Sequence, residues 1–415
     1  MRVTVLGLHY APEVTGNAPY TRGLAAGLVK RGHDVQVLTG YPHYPSWTID
    51  PRYRGWSFRE NLDGVAVRRF RHHVPAAPNA IGRVVLETSY GARLLANRWG
   101  KADVVLCVSP ALLSSAMVIA RNRLTPSRPP IGVLVQDLYS LGVAETQASG
   151  TTASNLATRF ESAVLRGADG ISVVHDRFKT NVVKKLGIPE DRVSVIRNWM
   201  HLQEAPKSDR RQTRADRGWE DNDIVVLHAG NMGVKQGLEN VVAAARLADS
   251  QPGRRVTFVL MGDGNQRRHL GELAKGVRSV QFIGSLPDEQ FQATLAAADI
   301  LLVNEKPGVA EMSVPSKLTS YFNTGRPVLA ATSPVGTTAT EIGQSRAGIV
   351  VSPGDPQALL DGASRLANEP ELSRQLGEAG KRYCEENLSE DYAISQYETW
   401  LKRLAERGRR RKDAS

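Results

Sequence analysis

Short apolar runs alternate with helix-like segments along this chain, and the alternation starts twice. The first run is VTVLG, residues 3–7; a loop with Gly, Pro and Asn follows, and TRGLAAGLVKRG then sets Leu24, Leu28 and Val29 at helical spacing. DVQVLT, residues 34–39, is the next run. Strands that alternate with helices predict a parallel sheet with helices on its faces, an α/β fold. More strands are expected at 65–70, 103–108, 131–136, 170–174 and 193–196. The pattern restarts with IVVLHAG at 224–230, a glycine loop and the helix-like LENVVAAARLA. VTFVLMG, VQFIG, ADILLV and RPVLAA continue it as strands. Between the halves, QEAPKSDRRQTRADRGWEDND (203–223) is polar and charged and reads as a linker.

With 415 residues, and roughly 150 residues per domain, the chain holds two or three folding units. The expected division is a first Rossmann-like domain over 1–202 and a second over 203–390. Near the end, DYAISQYETWLKRLAE (391–406) places Ile394, Tyr397, Leu401 and Leu404 on one helical face, so that face should be buried. The residues after it, 407–415, read as a frayed basic tail.

The two cysteines, Cys107 and Cys384, form no CxxC or Cys/His cluster, which argues against a disulfide framework or a zinc site and fits a reducing cytoplasm. The opening MRVTVLGLHYAPE has one basic residue and an apolar run that breaks at His9, so it reads as a strand rather than a signal peptide. No apolar stretch reaches the roughly 20 residues of a membrane span, so a soluble or peripheral protein is expected. The net charge of +11, from 53 Lys+Arg against 42 Asp+Glu, favours anionic partners. RRFRHHVP (68–75), Arg83, Arg93, Arg98 and Lys101 supply a basic cluster, and Tyr41, Tyr44, Trp47, Tyr53 and Trp56 lie in a nearby loop. Together they suit an anionic membrane surface at the inner face of the cell membrane, or a merely solvated basic face. Nothing carries a nucleic-acid recognition motif.

In an open α/β sheet, ligands sit at the carboxyl ends of the strands, where glycine loops and helix N-termini receive phosphate. In the first half the loop HYAPEVTGNAPY puts Gly16 and Asn17 before the helix, without GxGxxG or a Walker lysine. A tight turn alone would also explain Gly16. In the second half AGNMGVKQGLEN places Gly230, Asn231, Gly233, Lys235 and Gly237 between strand and helix. In SVPSKLTSYFNTGRPVLA (313–330), Pro315 presets a helical turn, Ser313 and Ser316 can cap it, and Lys317 adds positive charge. That is an anion seat, or an ordinary capped helix with a solvated lysine.

GHDVQVLTG, VIRNW, AGNMGVKQGLENVVAAA, VLMGDGNQRRHL, VQFIGSLPDEQF, AAADILLV and PSKLTSYFNTGRPVLA occur in one order over almost the whole chain. This order resembles the retaining glycosyltransferases of family four. YPHYPSWTIDPRYRGW, VQDLYSLGVAE and SVPSKL are most similar to its bacterial polysaccharide and O-antigen branch, which includes fucosyl- and N-acetylfucosaminyl-transferases. The resemblance implies the GT-B fold: two Rossmann-like domains facing across a cleft, the last helix returning to the first domain. The second domain would hold a nucleotide-diphosphate sugar, a UDP-sugar first and a GDP-sugar second, and the first domain the acceptor. Donor contacts would come from Gly16, Asn17, Gly230, Asn231, Lys235, Gly262, Gly284, Ser316, Lys317 and Ser320. Asp137, after a strand, would line the reaction centre where the family has a His or Asp.

The family signature also pairs two glutamates eight residues apart, and these positions fall on Met312 and Ser320, with Glu311 adjacent to the first. The resemblance thus implies sugar transfer from a nucleotide donor to a lipid-linked or cell-envelope glycan, retaining and metal-independent, with no cofactor. Asp137 and Glu311 are the catalytic candidates, and Lys235 and Lys317 stabilise the leaving diphosphate. The rival readings are an NAD-type oxidoreductase and a catalytically weakened nucleotide-sugar-binding protein on the same architecture. The first would want GxGxxG with an acid about 20 residues on, which neither loop has.

Overall fold

A computed structural model describes the chain except for residues 14–15, 45, 77–79, 125–127, 139, 141–150, 200–208, 252–254, 310–316 and 414–415. It divides into two compact units, Met1–His201 with Glu390–Ser415, and Leu202–Ser389.

The first unit is built on an eight-stranded sheet in the order β3-β4-β2-β1-β5-β6-β7-β8. Its strands are β1 Arg2–Gly7, β2 Asp34–Gly40, β3 Ser57–Leu62, β4 Val65–Phe70, β5 Val104–Val108, β6 Ile131–Val135, β7 Gly170–Val173 and β8 Val193–Val195. All neighbours are parallel except β3 and β4, an antiparallel hairpin at the edge. The expected strands form within a residue or two of their predicted limits. β3 was not expected: its sequence SFRENL is almost wholly outward-facing and polar, so no apolar run announces it.

The second unit carries a six-stranded parallel sheet, β11-β10-β9-β12-β13-β14. Its strands are β9 Ile224–Ala229, β10 Val256–Met261, β11 Val280–Ile283, β12 Ile300–Asn304, β13 Val328–Ala331 and β14 Gly348–Val351. β9, β10, β12 and β13 are buried along their whole length, which is why they read as unbroken apolar runs. Both sheets are Rossmann-like, as the repeated alternation predicts.

The polar segment read as a linker is partly structured. It contains the helix Arg210–Asp216, capped by Asp209, whose side chain accepts from the Arg211 and Gln212 amides. Arg214 is buried there and binds Asp299 at 3.1 Å and the carbonyls of Ala297, Glu220 and Asp223. Trp219 is buried beside it and donates to Gln281. Charge alone misled the reading, because a guanidinium whose two terminal nitrogens are filled by a carboxylate and three carbonyls can be an interior group.

The last helix, Glu390–Asp413, buries Ala393, Ile394, Tyr397, Trp400, Leu401, Leu404 and Ala405 in the core of the first unit. Glycines on the sheet make room for it. A Cβ at Gly132 would meet the Trp400 ring at 2.7 Å, and one at Gly170 would meet Leu404 at 2.7 Å. Arg31 ties its start through Asp391 at 2.6 Å and Glu398 at 3.1 Å. The helix does not fray after residue 406; it runs on to Asp413, with Arg411 paired to Asp169 at 2.7 Å.

Candidate functional sites, one in each unit

In the second sheet the strand order reverses between β9 and β12, and an open α/β sheet forms its binding crevice at that point. β9 leads into Gly230 and β10 into Gly262, and these two turns are in close contact. The Gly230 amide donates to Met261 O at 2.8 Å. A Cβ on Gly262, whose φ is +129°, would stand 2.1 Å from Gly230 O, so only glycine fits there. Met232 N to Asp263 O (2.8 Å) and Gln266 N to Met232 O (2.9 Å) lace the loops further. Asn304, at the end of β12, donates to the carbonyls of Gln236 and Gly237 and holds the 233–237 turn from below.

Lys317 opens the helix Lys317–Asn323 and reaches back over this turn. Its Nζ lies 3.7 Å from the point a Cβ on Gly230 would occupy and 3.3 Å from His228 Nε2. An ammonium only donates, so His228 accepts through Nε2 and is neutral. Burial, then the Lys317 charge, hold His228 well below its usual pKa. Burial likewise pushes Lys317 down to about 8, against the pull of Glu305. Glu305 accepts from Thr332 and Thr338 and sits at the end of β12. A desolvated cation faced by a neutral imidazole, at the switch point of the sheet, has the chemistry of a seat for an anion.

The other second-unit candidates fall around this point unequally. Asn231 is exposed and Lys235 half-buried in the same turn. Lys235 O accepts from the Lys306 amide at 2.8 Å. Gly284 follows β11 on the surface, where a Cβ would meet nothing within 4 Å, so no steric need for glycine exists there. Ser320 is buried within the helix Lys317–Asn323. Glu311 and Ser316, with Met312, Ser313 and Pro315, lie outside the described residues.

In the first sheet the order reverses between β1 and β5. Gly16 (φ +64°) turns the loop after β1, and Asn17 starts the helix Ala18–Lys30. Asn17 Nδ2 donates to Ser109 O at 2.9 Å, just past β5. Ser109 Oγ in turn donates to Asp137 O at 3.3 Å, so the ends of β1, β5 and β6 are joined and Asn17 and Asp137 share one edge. The Asp137 side chain is exposed.

A histidine cluster on the same edge escaped the sequence reading. His9 Nδ1 lies 2.8 Å from Glu13 Oε2, and Glu13 Oε1 accepts the amides of His43 and Tyr44, each at 2.9 Å. The three ligand-type atoms of His9, Glu13 and His43 lie within 4.8 Å of one another. His43 and His72 meet edge to face behind, with ring centres 4.9 Å apart. Burial holds both imidazoles below their usual pKa, His72 at about 3. For Glu13, burial pushes upward, but the His9 contact and the two amides outweigh it, and the net shift is down. The i,i+4 spacing of His9 and Glu13 was visible in HYAPE, yet without the turn that brings His43 alongside it signified nothing.

The basic and aromatic groups of this unit are not all on its surface. Arg69 is fully buried between Glu60 and Ala11 O, and Tyr41, Tyr53 and His72 are core residues. Among the exposed apolar groups of this unit are Trp56, with Arg93 4.4 Å over its ring, and Ile81, Val84 and Val85 beside the exposed Arg83 on the helix Ala80–Ala96.

Residues 15–199 match the family described as a glycosyl transferase 4-like domain, and residues 223–369 match glycosyl transferases group 1. Both units thus carry glycosyltransferase domains, and the chain is a glycosyltransferase. This glycosyltransferase is 28% identical to WcaI of Escherichia coli K12, named for a glycosyl transferase of colanic acid biosynthesis, over 96% of the chain and 98% of WcaI. It is 26% identical to WbjE of Pseudomonas aeruginosa, named as a glycosyltransferase, over 75% of the chain and 77% of that protein. Among solved structures it is similar to HepE of Anabaena in complex with UDP, with TM-score 0.72, 16% identity, 97% of this chain and 100% of that one. It is also similar to sucrose-phosphate synthase of Thermosynechococcus elongatus, with TM-score 0.71, 19% identity, 97% of this chain and 98% of that one. These likenesses are of fold, and the fold is GT-B. Among the described residues no helix of this glycosyltransferase is long and apolar enough to cross a membrane.

Proposed function

We propose that this glycosyltransferase moves a hexose, deoxyhexose or amino sugar from a nucleoside diphosphate donor to a lipid-linked or cell-envelope glycan, with retention at the anomeric carbon. The observation that carries the reading is Lys317 Nζ, desolvated beside Gly230 and His228 at the switch point of the second sheet. A donor diphosphate there completes the partners of that ammonium, and the backbone at Gly230–Gly233 and Lys235 adds to the seat. Charge that builds on the diphosphate as the sugar leaves is met by groups already in place, which lowers the barrier without a metal ion. A UDP-sugar is the first choice of donor, in keeping with the UDP bound by HepE, and a GDP-sugar the second. Envelope polysaccharide as the product accords with the colanic acid role in the name of WcaI, and retention with the resemblance to family four. Asp137, on the edge shared with Asn17, lines the acceptor side.

The exposed stripe Ile81, Val84 and Val85 with Arg83, together with Trp56 and Arg93, fits the headgroup region of an anionic membrane, where a lipid-linked acceptor resides. Flotation with phosphatidylglycerol-containing vesicles, and none with phosphatidylcholine alone, is the expected outcome for the wild type; Ile81→Asp should abolish it.

The test of the donor site is a thermal-shift panel of UDP, GDP, their sugar conjugates and NAD(H), because a ligand of the folded state raises its melting temperature. One nucleoside diphosphate should stabilise the wild type and fail with Lys317→Ala. Stabilisation by NAD(H) alone would overturn the assignment.

A further inference from the structure

In the first unit, the loops that follow the neighbouring parallel strands β2 and β4 meet the helix Ala80–Ala96 around a cavity of about 950 Å³. That is the size of a small-ligand site. Trp47, Trp56, Arg71, His72, Ser89 and Arg93 are among its lining residues, and among the described ones there is no carboxylate. Residues 71–73 tie the walls together. The Arg71 amide donates to Trp56 O at 3.1 Å, Arg71 O accepts from Arg93 Nε at 3.1 Å, and the His73 amide donates to Ser89 Oγ at 2.9 Å. Arg93 also lies 4.4 Å over the Trp56 ring, so its guanidinium is held on two sides while its terminal nitrogens remain for a ligand. His72 is buried, and burial holds its pKa at about 3, so it adds no charge.

The two indoles are the other unusual feature. Trp56 is 71% exposed, and Trp47 takes φ +55°, a left-handed conformation rare for a bulky side chain. Backbone strain of this kind collects at ligand clamps. The negative face of an indole attracts the polarised C–H groups of a sugar ring, and a guanidinium fork matches the paired oxygens of a carboxylate or a phosphate. We propose that this cavity binds an anionic sugar, a pyranose that carries a carboxylate or a phosphate, with its ring against Trp47 or Trp56 and its anion on Arg71 and Arg93. That the sugar belongs to the acceptor rests on the sugar-transfer reading. With no acid among the described lining residues, nothing there repels the anion. Trp56 and Arg93 also belong to the surface assigned above to the membrane, so an acceptor sugar held by them lies beside the headgroups, where a lipid-linked acceptor brings it.

The test is saturation-transfer difference NMR on the full chain, without lipid, using methyl glucuronoside, glucose 1-phosphate, methyl glucoside and inorganic phosphate. One of the two anionic sugars should bind at least about tenfold more tightly than methyl glucoside and than phosphate alone. Preference for the glucuronoside assigns a uronate, and preference for glucose 1-phosphate assigns a phosphate-linked sugar. Arg71→Gln leaves the Trp56 and Arg93 hydrogen bonds in place, since both use the Arg71 main chain, and it should weaken the bound sugar about tenfold. Trp47→Ala should do the same, whereas Lys317→Ala should leave this binding unchanged. Equal binding of charged and neutral sugars, phosphate binding as tightly as either anionic sugar, no effect of either first-unit variant, or an Arg71→Gln effect seen only with phosphatidylglycerol vesicles would each overturn the proposal. Nucleoside diphosphate stabilisation without sugar binding overturns this cavity and leaves the donor site standing. Sugar binding in a protein that no nucleoside diphosphate stabilises keeps the cavity and overturns the transfer reading.

Discussion

At the scale of single residues, the proposed donor site of the second unit turns on one ammonium group. In that proposed site Lys317→Ala removes a charged donor to the diphosphate, and hydrogen bonds to charged groups are worth about 1.5–3 kcal/mol, so nucleoside diphosphate affinity should fall roughly 10- to 100-fold by calorimetry. Because burial holds the Lys317 pKa at about 8, the free protein carries that charge only below about pH 8. Affinity in the wild type should therefore weaken about tenfold per pH unit above 8, and the variant should show no such loss. Gly262 is the second residue with a sharp consequence. A methyl group there would collide with Gly230 O in a backbone conformation that side chains rarely adopt, so Gly262→Ala should cost about 3 kcal/mol or more in urea unfolding. His9 and Glu13 show the limit of sequence reading at this scale. Their i,i+4 spacing was visible, but the partners come from the ends of β2 and β4, thirty or more positions away in the chain.

At the scale of elements, the most telling piece is the helix Glu390–Asp413, which is last in sequence and central to the core of the first unit. Its apolar spacing announced a buried face, whereas its target was not legible. That target is set by Gly132 and Gly170, which flatten neighbouring strands where Trp400 and Leu404 lie. Trp400→Ala should lower stability by about 3–5 kcal/mol in denaturant titration, because the glycines leave no side chain to fill the space. The strands were legible wherever both faces are covered, since full burial forces an apolar run. Strands β3 and β14 failed that test. β3 is an exposed edge hairpin, and β14, GIVV, lies at the other sheet's edge with each residue half-buried or exposed. The segment 203–223 erred in the opposite sense, because its helix and its buried Arg214 are stabilised by contacts with Asp299 and Ala297, more than eighty positions away in sequence.

For the whole molecule, each unit carries neutral histidines in its interior, His43 and His72 in the first and His228 in the second. Their folded pKa values lie below the ordinary 6.5, so below that pH the unfolded chain binds more protons than the folded one. Stability is fully present above pH 6.5 and falls as pH drops, by about 1.4 kcal/mol per pH unit for each such histidine. Glu87 works the other way between about pH 6 and 4.5, since its raised pKa lets the folded state take up a proton first. The histidines outnumber it, so urea midpoints should stay level from pH 7.5 to about 6.5 and fall from there to pH 5.

The sequence by itself determined the class of fold and its duplication, because burial on both sheet faces leaves an apolar signature that repeats wherever the architecture repeats. It also determined where phosphate-compatible glycine turns lie, since only particular residues tolerate those backbone angles. The tertiary structure alone decided which polar groups become chemistry. Lys317 meets His228 and Gly230 from the far side of β12, and His9 meets a carboxylate whose other oxygen is tied down by a distant turn. Proton affinity depends on desolvation and on neighbours a few ångströms away, and these are properties of packing that sequence separation does not encode.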